Sequence, residues 1–153
     1  MPEVRDEVVL AVSRLHARQS RLIDEGDAAG WAATFIPTGV FDSPSYAAPV
    51  AGTAALTAFA RDFHDSCIRT RTRLRHVVTN VDVVPGPDPQ DPDRVVAHAY
   101  LQIVATPEGE ESRLVRLTTL TDDLVREAGR WRVARRRVRR DDTARPSQQG
   151  APA

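Results

Sequence analysis

The stretch RLRHVVTNV, residues 73–81, sets a histidine and an amide among valines. If it is a strand, alternation puts His76, Val78 and Asn80 on one face and Arg75, Val77, Thr79 and Val81 on the other. Imidazole titrates near neutrality and can accept or deliver a proton; an amide can hold an oxygen atom. A second set, His98, Tyr100 and Gln102, alternates against Val95, Ala97, Ala99, Leu101 and Ile103. A face bearing such groups either meets solvent or lines a polar cavity, and the sequence leaves that choice open. Other chemistries find little support. There is no GxGxxG, no GxxxxGK[ST], no HExxH and no GxSxG. Four scattered histidines and one cysteine make no zinc site at recognised spacing, so neither a metal nor a cofactor is expected.

The 21 basic and 21 acidic residues of this 153-residue chain cancel. Its length fits one domain, residues 1–140, able to bury roughly 68–70% of its unfolded surface. The lone Cys67 excludes an intrachain disulfide framework and fits a reducing, cytoplasmic setting. No stretch approaches the roughly 20 apolar residues of a membrane span. The run RWRVARRRVRR invites phosphate binding, but alternation spreads its arginines over both sides of a strand. Asp122, Asp123, Asp141 and Asp142 are available to balance them, and nucleic acid is not an expected partner.

Helical spacing of Val4, Val8, Val12, Leu15, Gln19 and Leu22 predicts a helix over 2–25, stopped by Gly26. Asp27 is a candidate N-cap for a second helix over 27–35, ended by Pro37. Val40 and Phe41 read as a short strand, and Gly52 and Thr53 open a third helix carrying Leu56, Phe59, Ala60 and Phe63. From about Arg71 the period becomes two, predicting strands at 73–84, 94–105, 112–126 and 131–140. Helices first and a meander second indicate an α+β packing. The polar tail 141–153 is expected to be disordered.

Three stretches, LIDEGDAAGWAATFIPTGVFDSP at 22–44, RHVVTNV at 75–81, and LVREAGRWRVARRRVRRDD at 124–142, together with the elements between them, resemble the SnoaL-like and scytalone-dehydratase-like branch of the nuclear transport factor 2-like superfamily. The resemblance covers about residues 5–142. It implies a cone-shaped α+β barrel whose mouth leads to an apolar pocket. Members include dehydratases, isomerases and polyketide cyclases alongside proteins with no catalysis, so the fold does not by itself give the reaction.

By that resemblance His76 occupies the place of a pocket histidine on the first long strand, and Asp24 that of an aspartate at the end of the first helix. The tyrosine that similar dehydratases carry five residues earlier is Gln19 here. Asp42 falls where ketosteroid isomerase draws its base. Phe41 and Tyr46 flank the loop DSPSYAAP, expected beside the pocket mouth, and Asn80, Gln102 or Tyr100 could replace the absent tyrosine as donor. Each residue also has a plainer explanation: Asp24 as a solvated turn aspartate, His76 as a satisfied core histidine, and Asn80 as a strand-end cap. His16, at the edge of the helical stripe, is not placed in the pocket. The resulting expectation is a cofactor-independent acid/base enzyme acting on a hydrophobic oxygenated intermediate of bacterial secondary metabolism, such as a polyketide, with Asp24 and His76 catalytic. Gln19, Asn80, Tyr100, Phe41, Asp42 and Tyr46 would contact substrate. The alternative is a non-catalytic binding or assembly protein on the same cone, and a homodimer is expected in either case.

Overall fold

A computed structural model describes residues 3–143. Helix α1 (Asp6–Glu25) buries Val8, Val12, His16, Gln19 and Ile23, so the predicted stripe holds at Val8, Val12 and Gln19, while His16 and Ile23 are buried in place of the predicted Leu15 and Leu22, which are half-buried. It begins at Asp6, and Asp6 and Glu7 in its first turn favour the positive end of the helix dipole. Gly26 ends it in the left-handed region at φ 85°, where the Asp27 N–H reaches back to the Leu22 carbonyl at 2.9 Å. Any Cβ at this position would also lie 2.6 Å from the His64 ring. Asp27 then caps helix α2 (Ala28–Ala32) by accepting from the Gly30 N–H at 2.8 Å.

Strand β1 (Phe35–Asp42) starts earlier than the sequence suggests, and α2 stops short of it. Pro37, expected to terminate a helix, lies inside β1 where its register against β6 slips between Phe35 and Val40, so its missing N–H leaves no regular ladder bond unmade. The two-residue β2 (Val50–Ala51), which hydrophobic patterning could not reveal, leads into α3 (Thr53–Arg69). Four long strands follow: β3 (Thr72–Pro85), β4 (Arg94–Pro107), β5 (Arg113–Glu127) and β6 (Arg130–Arg140). Each predicted strand boundary falls within two residues of these. The sheet order is β2-β1-β6-β5-β4-β3, antiparallel throughout except where β1 runs parallel to β6.

The sheet is curved and open, and its concave side holds the helices, giving the expected cone-shaped α+β arrangement. Val95, Ala97, Ala99, Leu101, Ile103 and Ala105 of β4 point inward and are buried. Trp31 anchors the helical side, with ring centroids 5.0 Å from Phe35 and 5.7 Å from Phe59. Trp131 packs partly buried against the same core under the Arg126 guanidinium. Asp141 to Thr143 form a turn, the Asp141 N–H donating to the Leu117 carbonyl at 3.1 Å. The rest of the predicted tail lies outside the described residues.

Candidate functional site

Asp24 stands in the last turn of α1, one residue from its end, and the Schellman-type turn at Gly26 closes the helix there. Its carboxylate grips one residue twice: Oδ2 accepts from the His76 backbone N–H at 3.0 Å, and Oδ1 lies 2.6 Å from the His76 Nδ1. A carboxylate only accepts, so Nδ1 carries the proton of this bond, and in the neutral ring Nε2 is the nitrogen with the lone pair. The pair is largely enclosed, with side-chain exposures of 13% for His76 and 6% for Asp24. Phe63 packs on the imidazole at 5.4 Å between ring centroids.

His76 forms part of the wall of a chamber inside the cone. Ile23, Trp31, Phe41, Phe59 and Leu101 supply much of its apolar lining. Its volume is about 60 Å³, several times the roughly 10–15 Å³ needed for one water, so it can admit a ligand group. Tyr46, Phe59, Phe63 and Arg116 belong both to this chamber and to a more open groove between α3 and β3, marking the mouth. Tyr46 thus lies at the mouth, and Phe41 lines the chamber itself. Tyr46 meets Phe59 edge-on at 4.9 Å, and Phe41 lies 5.0 Å from Phe59.

Gln19 also lines the chamber, but its amide is engaged. Its Nε2 donates to Thr34 Oγ1 at 2.8 Å, and its Oε1 accepts from Arg136 at 2.7 Å. It braces the wall, whereas the sequence reading made it a substrate donor.

Three expected contacts are displaced. Asn80 sits at φ 54° where β3 carries one extra residue against β4, between the pairs Thr79–Tyr100 and Asp82–His98. This bulge breaks the alternation that would have set it beside His76, and Asn80 is exposed. Tyr100 is 51% exposed on the convex face, because the inward positions of β4 are the odd-numbered ones. His98 shares that outer face. Asp42 pairs with Arg135 at 3.1 Å and takes no part in the chamber wall.

The sequence reading missed a second histidine–carboxylate pair. His16 Nε2 lies 2.8 Å from Asp122 Oδ2, and both residues are fully buried, as is the Arg136 that clasps the same carboxylate. Arg136 Nε donates to Oδ1 at 2.8 Å and its Nη2 to Oδ2 at 2.7 Å. Burial would raise the Asp122 pKa, but the adjacent guanidinium and the hydrogen bonds from Arg136 and His16 outweigh it and bring the group down to about 2. Asp122 and Arg136 face each other across β5 and β6. A signal existed: Asp122 stands at strand spacing between the inward Leu120 and Leu124.

A model of the SnoaL-like domain family matches residues 5–137. No curated protein matches the chain. Among solved structures, ActVI-ORFA from Streptomyces coelicolor superposes with a TM-score of 0.82 at 22% identity, covering 92% of this chain and 100% of that one. A Catenulispora acidiphila protein in complex with S-DNPA gives 0.77 at 28% identity, covering 90% and 96%. Aln2 from a Streptomyces species gives 0.78 at 25% identity, covering 92% and 96%. Fold, cone interior and family model agree, and the chain belongs to the SnoaL-like domain family.

Proposed function

We propose that the protein is a cofactor-independent acid/base catalyst, a dehydratase, isomerase or cyclase, acting on a hydrophobic oxygenated ring compound of bacterial secondary metabolism such as a polyketide intermediate. One observation carries this reading: Asp24 holds His76 by both its backbone and its ring, and the His76 side chain forms part of the wall of a mainly apolar chamber. In the proposed step, Nε2 takes a proton from carbon beside a carbonyl, and Asp24 steadies the imidazolium that forms. The same imidazolium returns the proton to a leaving hydroxyl or to another carbon, which distinguishes dehydration from isomerisation. Ser43, Ser45 and Tyr46 also line the chamber and supply hydroxyl donors for the developing oxyanion. The bound S-DNPA of the Catenulispora protein supports small-molecule binding in this fold.

The test follows α-proton exchange of 2-tetralone in D2O by NMR. Wild-type protein accelerates exchange, and His76→Ala or Asp24→Asn lowers the rate by about 10² to 10⁴. Wild-type rates in both variants overturn the mechanism.

The proposed assembly is a homodimer through the convex sheet face. Val77, Tyr100, Val115 and Leu117 are exposed there on neighbouring strands β3, β4 and β5, and an apolar stripe of this kind suits a self-complementary contact. Light scattering on a Tyr100→Glu, Leu117→Glu variant should report a monomer where the wild type is dimeric; an unchanged mass removes this face as the interface.

A further inference from the structure

His16 contributes to the chamber wall, is 2% exposed, and has one ring nitrogen committed to Asp122. Its other nitrogen, Nδ1, is buried with no hydrogen-bonding partner, the one such side-chain atom among the described residues. A buried polar atom left unpaired is costly, so its retention on a cavity wall points to a ligand group that completes it.

The surroundings fix which kind of group that is. Asp122 is an ionised acceptor, so the proton of the His16–Asp122 bond belongs to His16 Nε2. Arg136 holds the same carboxylate through two further hydrogen bonds, which fixes the position of the His16 partner. In the neutral ring, with Nε2 carrying the proton, Nδ1 is a bare lone pair. A ligand carbonyl or ether oxygen cannot satisfy it; a hydroxyl or enol can.

We propose that His16 Nδ1 is a specificity-determining acceptor that selects ring compounds carrying a free hydroxyl at the end seated against α1 and β5. This deepens the proposed function by naming the substrate class, hydroxylated or enolic rings, for the same chamber. The two imidazoles then address a ligand through unlike nitrogens. His76 offers Nε2 beside Phe63, one of the mouth residues, whereas His16 offers Nδ1 from the buried network. O-methylation of the inner oxygen would remove the only proton that His16 can accept.

The test measures equilibrium binding and needs no turnover. Calorimetric titration compares 2-naphthol with its methyl ether, 2-methoxynaphthalene, on wild type and on His16→Gln, whose side-chain amide N–H can still reach Asp122 while nothing remains in place of Nδ1. Wild type prefers the naphthol by about 3- to 10-fold, the value of one neutral hydrogen bond, and His16→Gln loses that preference. Nitrogen NMR of histidine-labelled wild-type protein gives an independent reading that requires no variant to fold: Nδ1 of His16 is unprotonated in the free protein and shifts on addition of naphthol but not of the ether. Equal or absent binding of the two compounds by wild type, an undiminished preference in His16→Gln, or a protonated Nδ1 at neutral pH each overturns the proposal. His76→Ala separates the two readings, since it abolishes proton exchange while leaving the naphthol preference in place.

Discussion

Replacing Asp122 by Asn tests the buried network directly. The carboxylate accepts three hydrogen bonds at 2.7–2.8 Å on two oxygens, and the side chains involved are 0% exposed for Asp122, 2% for His16 and 8% for Arg136. In the variant, one oxygen becomes an amide nitrogen facing donors that cannot accept from it, and the largely buried Arg136 guanidinium loses its counter-charge. Breaking a buried pair from one side costs about 3–5 kcal/mol. For a chain of this size, at roughly 2–4 °C per kcal/mol, the melting temperature falls by on the order of 10 °C. Urea unfolding followed by the fluorescence of Trp31 and Trp131 measures the loss, and Asp123→Asn provides an adjacent control. Asp123 pairs with Arg137 at 3.1 Å on the outer face, where both are about two-fifths exposed, so its loss should cost less than about 1 kcal/mol. Equal effects from the two substitutions would refute the argument that burial makes Asp122 structural.

The same carboxylate sets an acid limit. Its pKa of about 2 lies below the unfolded value near 3.8, so the unfolded chain binds the extra proton first. The associated stability, about 2 kcal/mol, is present above pH 4 and disappears as pH falls from about 4 to 2; the wild-type advantage over Asp122→Asn in urea midpoint should narrow across that window. Gly26→Ala forces a Cβ into the left-handed region and against the His64 ring, costing about 1–3 kcal/mol in the same assay. A fully stable Gly26→Ala would show that the α1–α2 turn relaxes freely.

Where the sequence speaks through periodicity, it places the fold well. The switch from helical spacing to period two locates β3 to β6, because one face of each strand is buried against the helices and the other meets solvent. His76, Phe41 and Tyr46 line the chamber, and Asp24 reaches it through its hydrogen bonds to His76. Failures occur where periodicity loses its phase or its meaning. Asn80 is misplaced because a bulge is invisible to alternation, and Tyr100 because alternation pairs residues on a face without saying which face turns inward. Pro37 reads as a helix stop but rests in a register slip of β1. Asp122 and Arg136 are masked by neighbours of the same charge: in TDDL and ARRRV only one residue of each run points inward, and the outward ones make the whole run look like a solvated face. His16 follows from the same blindness, since a histidine on a helical stripe gains its meaning from a strand more than one hundred residues away.

The bulge at Asn80 divides β3 into two lengths with opposite parity. Before it, Leu74, His76 and Val78 are the partly buried, inward positions; after it, Val81 and Val83 are. A single-residue deletion there would restore simple alternation and turn one half of the strand inside out, exposing either the histidine or the two valines. The strand can therefore change length freely only at its ends. Conversely, the two lengths are indexed separately, one to the carboxylate of α1 and the other to the main apolar core. A side-chain exchange in the valine half can alter packing without moving the imidazole, so thermal stability and the placement of the histidine can be adjusted on the same strand as independent variables.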